Sequence, residues 1–171
     1  MLKYFKKTYS EEEKELFDFL RKNTLLNGLT DDELGKFQPY IYTRKYNENE
    51  VVFFSNDPSH ALYIAKKGVV SLNLDRNGEF EKLLILRNGS AFGENAILEN
   101  TKRIYTAIVL SDETELFVIP KVNLTEVMEH HQTIKAKIMA AFAKTHNDYT
   151  QRLFDTYKDS GGLFDLNTVY S

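Results

Sequence analysis

The sequence predicts a mainly β domain of the sandwich, barrel or jelly-roll kind, flanked by helices and followed by a long C-terminal helix. Three observations point there. Across residues 40–119 the apolar side chains come in short runs, rich in β-branched and aromatic residues and separated by turn signals. Asn77-Gly78, between two of these runs, is a strong two-residue hairpin signal. On either side of this stretch the apolar spacing is helical, and on the N-terminal side two capping boxes open the helices.

Residues 1–9 form a basic arm with Tyr4 and Phe5 available for packing; with the helix after them they make a first segment, 1–29. Ser10-Glu11-Glu12-Glu13 is a capping box, Leu16, Phe17 and Leu20 share one helical face, and Asn27-Gly28 is expected to stop the helix. Thr30-Asp31-Asp32-Glu33 is a second capping box, opening a short helix to about Phe37 that Pro39 ends. The β domain is expected over 30–131, with strand-like runs at 40–42, 51–54, 62–65, 69–74, 83–86, 104–109 and 116–119. Pro120 ends the last of them. Residues 121–157 read as helix with a break near His130-His131-Gln132, so 132–157 is a separate C-terminal helix. Along it Met139, Phe142, His146, Tyr149 and Leu153 recur at spacings of three and four. That narrow seam favours a homodimer contact over core packing, because a completed β domain leaves little core for a further helix to cover. Residues 158–171 are read as a tail.

With 171 residues, 42% of them hydrophobic, the chain suits one domain with a sizeable core and terminal extensions. The net charge of −3, from 22 basic and 25 acidic residues, lacks the Lys/Arg excess of a nucleic-acid surface. Without cysteine there are no disulfides, thiolate clusters or cysteine nucleophiles. No apolar run approaches 18 residues, and the basic start Met1-Leu2-Lys3 lacks the apolar segment of a signal peptide, so a soluble cytoplasmic protein is expected. The histidines are His60, His130, His131 and His146; adjacent His130 and His131 leave a helix on different faces, and no His-x-His or His–carboxylate set lies on the strands. No nucleophile elbow or phosphate-cradling Gly-Lys loop is present. Neither a metal site nor catalytic residues are expected, which makes a jelly-roll enzyme the least favoured class.

The informative stretch is 91–107. Phe92-Gly93 offers a tight turn in which Gly can take φ > 0, Glu94 supplies a carboxylate just after it, and Arg103 supplies a guanidinium nine positions later. A turn with backbone N–H groups, one acidic acceptor and one Arg fork suits a sugar hydroxyl and a phosphate. The competing, less favoured reading of the stretch taken alone is a surface hairpin with a stray Arg. Phe92-Gly93-Glu94-Asn95-Ala96-Ile97 and Arg103, however, resemble in type and spacing the phosphate-binding cassette of the cyclic nucleotide-binding domain family. A second motif agrees: Val52-Phe53, Asn56-Asp57, Leu62-Tyr63-Ile64-Ala65 and Gly68 resemble that family's early strands, with Asn56, and likewise Asn49, standing where the family has glycine. Asn is the residue next most tolerant of φ > 0.

The resemblance implies a cyclic nucleotide-binding-type β jelly roll with a long C-terminal helix. It implies that Glu94 accepts from a ribose 2′-hydroxyl and that Arg103 pairs with the cyclic phosphate of cAMP or cGMP, helped by N–H groups from Gly93, Glu94, Asn95, Ala96 and Ile97. The base would lie against the C-terminal helix near Tyr149 and Thr150. Two departures stand out. After the Arg the family has small residues, whereas this chain has Ile104 and Tyr105; the Tyr ring either fills part of the phosphate pocket or faces away. The family's bacterial transcription factors continue into a winged helix-turn-helix, whereas this chain stops at Ser171, so no DNA-binding domain is expected. The expected function is a stand-alone, non-catalytic, dimeric cyclic nucleotide sensor that signals through its C-terminal helix. The alternative is a degenerate member that binds no nucleotide and serves as a protein-interaction module for an unidentified partner.

Overall fold

The computed structural model describes residues 8–159, and eight strands in two four-stranded antiparallel sheets form their centre. In chain order come α1 (Glu11–Leu20), α2 (Asp31–Phe37), β1 (Tyr42–Tyr46), β2 (Val51–Phe53), β3 (Ala61–Lys67), β4 (Val70–Arg76), β5 (Glu79–Leu86), β6 (Ala91–Phe92), β7 (Thr106–Val109), β8 (Thr114–Pro120), α3 (Lys121–His130) and α4 (Gln132–Asp159). One sheet has the order β1-β8-β3-β6 and the other β2-β7-β4-β5. This is the expected jelly-roll class with flanking helices. Tyr4, Phe5 and the tail beyond Asp159 lie outside the described residues.

Burial on both faces explains the continuous apolar run of β3. Leu62 and Ile64 point to a core made with the helices, while Ala61, Tyr63 and Ala65 point to a core between the sheets. β8 alternates likewise, with Ile119 in the first core and Leu116 and Val118 in the second. Helices therefore cover one sheet, and the second sheet covers its other face.

Local signals act as read. Ser10 and Thr30 cap α1 and α2 with both halves of the capping box formed. Asn77 (φ 55°) and Gly78 (φ 85°) make the two-residue turn between β4 and β5, with Arg76 opposite Glu79. Asn49 (φ 67°) and Asn56 (φ 69°) take the left-handed conformation expected of glycine stand-ins. The helix break falls at His131, between α3 and α4.

Several expectations need correction. α1 ends at Leu20, not near Asn27-Gly28: the Asn23 side chain accepts the Leu25 N–H at 2.8 Å, and the turns that follow bury Leu25, Leu26 and Leu29. Residues 38–40 form a 3₁₀ turn around Pro39, and the first strand starts at Tyr42. Ile104 and Tyr105 precede β7, which starts at Thr106. The two-residue β6 carries no periodic signal. The apolar seam of α4 is divided: Ile134 and Ile138 are buried, Met139 and Phe142 pack against the helical core, and Tyr149 and Leu153 stay exposed. Among the described residues no helix is long and apolar enough to cross a membrane.

Candidate functional site

The two motifs of the sequence meet in space. Asn56 donates its N–H to the Arg103 carbonyl and Arg103 donates its own to the Asp57 carbonyl, each at 2.8 Å. Ser59 N–H reaches Thr101 O at 3.0 Å. The Asp57 carboxylate holds the turn from inside by accepting Phe54 N–H at 2.8 Å. The 55–59 turn thus fixes the backbone that carries Arg103, which is why the two motifs occur together.

Between β6 and β7 the chain makes one short 3₁₀ turn, Glu94–Ile97, whose N-cap is Gly93 at φ 72°, ψ 25°. A Cβ at Gly93 would overlap Arg103 Nη1 and stand 3.2 Å from Ala61 O. Glycine is needed here both for the left-handed backbone and for the close approach of the guanidinium. Ala96 and Ile97 are buried and anchor the turn. Asn95 braces it: the side chain accepts from Ser59 Oγ at 2.9 Å and donates to Lys102 O at 2.7 Å, while its carbonyl accepts from Thr101 Oγ1 at 2.7 Å. Asn95 was expected only for its backbone N–H; its bracing role depends on partners that the turn's local sequence does not reveal.

Arg103 is 3% exposed. Nη1 donates to Gly93 O at 3.0 Å and Nη2 to Ala61 O at 2.7 Å, and the guanidinium carbon lies 4.1 Å from the Phe53 ring centroid. Among the described residues no carboxylate pairs with it, and Nε is buried with no hydrogen-bond partner. Burial pushes its pKa below the ordinary value, and nearby Tyr63, Tyr105 and Glu94 oppose that shift; a guanidinium is not deprotonated in proteins, so the group stays charged. The site therefore holds a buried cation sustained by two carbonyls and an aromatic face.

The first departure in sequence is resolved. Tyr105 faces the turn: its hydroxyl accepts the Gly93 N–H at 2.9 Å, and its ring centroid is 5.8 Å from that of Phe53. Phe53, Tyr63 and Phe92 complete an aromatic floor, with Tyr63 and Phe92 stacked at 5.3 Å. Burial pushes the Tyr105 phenol well above its usual range and Glu94 adds to the rise, outweighing the Gly93 hydrogen bond and Arg103, so it is neutral at physiological pH. Ile104 is 71% exposed and points away. Phe53, Tyr63 and the Ala61 carbonyl were not singled out as site groups; each belongs to an apolar strand run, whose sequence gives no sign of an Arg above it.

Glu94 is half-buried and faces the C-terminal helix. With Ala91, Asn23, Thr24 and Leu25 it lines a cavity of about 40 Å³ closed by Phe142, Thr145 and Tyr149 of α4. That space holds a water or two. Burial and Glu94 together raise the Tyr149 phenol above its usual pKa. Thr150 is brought elsewhere: its hydroxyl donates to His146 O at 2.9 Å on the exposed side of α4. Among the described residues no group of His, Cys, Asp and Glu is placed to hold a metal ion.

The family model for the cyclic nucleotide-binding domain matches residues 43–131, from β1 to the end of α3, with the turn and Arg103 inside it. The chain belongs to the cyclic nucleotide-binding domain family. Among curated relatives, the domain is 30% identical over 126 residues to Glutaminase 1 of Bradyrhizobium diazoefficiens, covering 73% of this chain and 20% of that protein. It is 29% identical over 101 residues to the Cyclic AMP receptor protein of Thermus thermophilus, covering 58% of this chain and 46% of that one. The chain thus spans between a fifth and just under half of these relatives. Among solved structures, the N-terminal domain of a transcriptional regulator from Streptomyces coelicolor A3(2) superimposes with a TM-score of 0.70 at 20% identity, covering 80% of this chain and 95% of that one. At that identity the likeness concerns the fold.

Proposed function

We propose that this chain is a non-catalytic cyclic nucleotide sensor that binds cAMP or cGMP and passes the signal on through α4. The observation that carries the reading is the buried, carboxylate-free Arg103 beside the left-handed Gly93, with Glu94 at the next position opening toward α4. A phosphodiester supplies the counter-charge that this cation lacks, and a ribose hydroxyl suits the carboxylate. Similarity to a protein named Cyclic AMP receptor protein supports the ligand class. In this reading the ligand site comprises Phe92, Gly93, Glu94, Asn95, Ala96, Ile97, Arg103 and Tyr149.

The cavity between Glu94 and α4 is too small for a nucleobase, so a base can lie there only if Phe142, Thr145 and Tyr149 move. Ligand affinity and helix position are then linked, and binding biases where α4 lies. The rest of the reading is a homodimer through the exposed part of α4, working in the cytoplasm. A second reading, a member that binds no nucleotide and acts through protein contacts, is favoured by the Tyr105 hydroxyl on the Gly93 N–H.

Calorimetric titration of cAMP and cGMP decides between them. The sensor reading expects binding by the wild type and a loss of about 2–4 kcal/mol in Arg103→Ala, the scale of a charge-assisted fork in a partly buried site. Arg103→Lys is expected to fail similarly, since a point charge cannot replace the fork. No heat at millimolar nucleotide leaves the interaction-module reading; equal affinity in wild type and Arg103→Ala removes Arg103 from the site.

A further inference from the structure

Gly93 is held at both of its backbone polar groups. The Tyr105 hydroxyl accepts its N–H at 2.9 Å, and the Arg103 guanidinium donates to its carbonyl at 3.0 Å. Both side chains come from one short segment just ahead of β7, and that segment is itself pinned. Thr106 is paired with Asn73 in the sheet and accepts Ser55 N–H at 3.0 Å through its hydroxyl. Arg103 is pinned through its own backbone to Asn56 and Asp57. The Tyr105 backbone cannot drift, so its hydroxyl leaves Gly93 by turning the side chain.

We propose that Tyr105 gates the phosphate subsite: its hydroxyl holds the Gly93 N–H that an incoming anionic oxygen would use, and a ligand binds by displacing it. The proposal rests on the cyclic nucleotide reading above and names how that site is regulated. A neutral phenol oxygen and a phosphate oxygen are acceptors for the same donor, and the charged one is the stronger. The Tyr105 contact is therefore strong enough to hold the site closed and weak enough to yield. Arg103 is prepared for the exchange. Its charge is buried without a counter-ion, and Nε is a donor with no partner, so an anion gains a hydrogen bond that the closed state leaves unmade. The observed affinity is then the intrinsic affinity reduced by the fraction of molecules in which Tyr105 has already left.

The chemical class admitted is a phosphodiester of a nucleoside: one charge for one guanidinium, with a ribose hydroxyl for Glu94. Tyr105 also limits the space beside Gly93, because its ring rests on the Phe53 face of the aromatic floor.

The test uses the full chain as wild type, Tyr105→Phe and Tyr105→Ala, titrated with cAMP and cGMP, with Gly93 amide proton exchange followed in the ligand-free proteins. Tyr105→Phe keeps the ring and removes the competing oxygen. It is expected to bind about three- to tenfold more tightly, the worth of one neutral hydrogen bond, and its Gly93 amide is expected to exchange faster. A purely packing role for Tyr105 moves stability instead and leaves affinity level. Equal affinities in wild type and Tyr105→Phe, with binding measured in both, overturn the gate and leave the nucleotide reading standing. A gain confined to Tyr105→Ala likewise overturns the hydroxyl gate, because it leaves the ring and not the hydroxyl as the obstruction. Unchanged Gly93 exchange in Tyr105→Phe overturns the hydroxyl contact. Absence of binding in all three, with Gly93 exchange accelerated in Tyr105→Phe, overturns the nucleotide reading and the gating role with it, and leaves the contact as a structural one.

Discussion

Gly93→Ala tests the geometry of the turn without any ligand. Two costs arise. Gly93 has φ 72°, and placing a Cβ residue in the left-handed region costs roughly 1–2 kcal/mol. The new methyl would also overlap Arg103 Nη1 and lie 3.1 Å from Cζ, while Ala61 O blocks retreat at 3.2 Å. Relief requires the guanidinium to give up at least its bond to Gly93 O, worth about 1.5–3 kcal/mol for a charged donor. The sum is about 2.5–5 kcal/mol, a large part of the stability of about 5–15 kcal/mol usual for a domain. Gly78→Ala is the internal control. Gly78 is also left-handed, at φ 85°, but nothing lies within 4 Å of its Cβ position, so only the backbone cost of roughly 1–2 kcal/mol applies. Urea unfolding followed by circular dichroism gives both values. With a slope of about 1–3 kcal/mol per molar, Gly93→Ala should lower the midpoint by about 1–5 M, and Gly78→Ala by less than half as much at the same slope. If Gly93→Ala costs no more than Gly78→Ala, Arg103 does not occupy the position described and the account of the site fails.

Two further outcomes follow from the helices. Glu33 joins the Thr30 cap of α2 to Lys137 of α4, with Lys137 Nζ at 2.7 Å from its carboxylate. Burial alone would raise this carboxyl, but the bonds from Lys137 and Thr30 outweigh burial and hold its pKa below the usual value. The stabilisation is therefore fully present above the unfolded value of about 4.3 and is lost as pH falls through the folded value. Melting temperature measured from pH 6 to 3 should fall less steeply in Glu33→Gln than in wild type; parallel curves would contradict the assignment. On α4, Tyr149 is 49% and Leu153 42% exposed, whereas Phe142 packs on the core. Leu153→Glu with Tyr149→Glu should give a folded monomer by light scattering, while Phe142→Glu should lower the melting temperature. A wild type that is monomeric at tens of micromolar removes the dimer.

What the sequence determined by itself is set by neighbours along the chain. The capping boxes at Ser10 and Thr30, the Asn77-Gly78 turn, the left-handed Asn49 and Asn56 and the break at His131 are all decided within a few residues, where side-chain reach and backbone sterics leave little choice. The family, and with it the jelly roll, was legible for a related reason: the turn at Gly93 and the Asn56-Asp57 turn demand particular residue types at fixed spacing. Tertiary structure decided the rest. Arg103 finds Ala61 O across 42 positions and its aromatic floor on three separate strands, so its burial could not be read from the cassette. Whether Tyr105 filled the pocket or faced away depended on whether a donor stood within reach, and that donor, Gly93, arrives only when β6 pairs with β3. The runs at 62–65 and 83–86 look alike as sequence, yet β3 is buried on both faces while Leu83, Leu84 and Ile85 on the edge strand β5 stay exposed. Apolar character sets which residues can be buried; the position of the strand in its sheet, central or edge, sets which of them are.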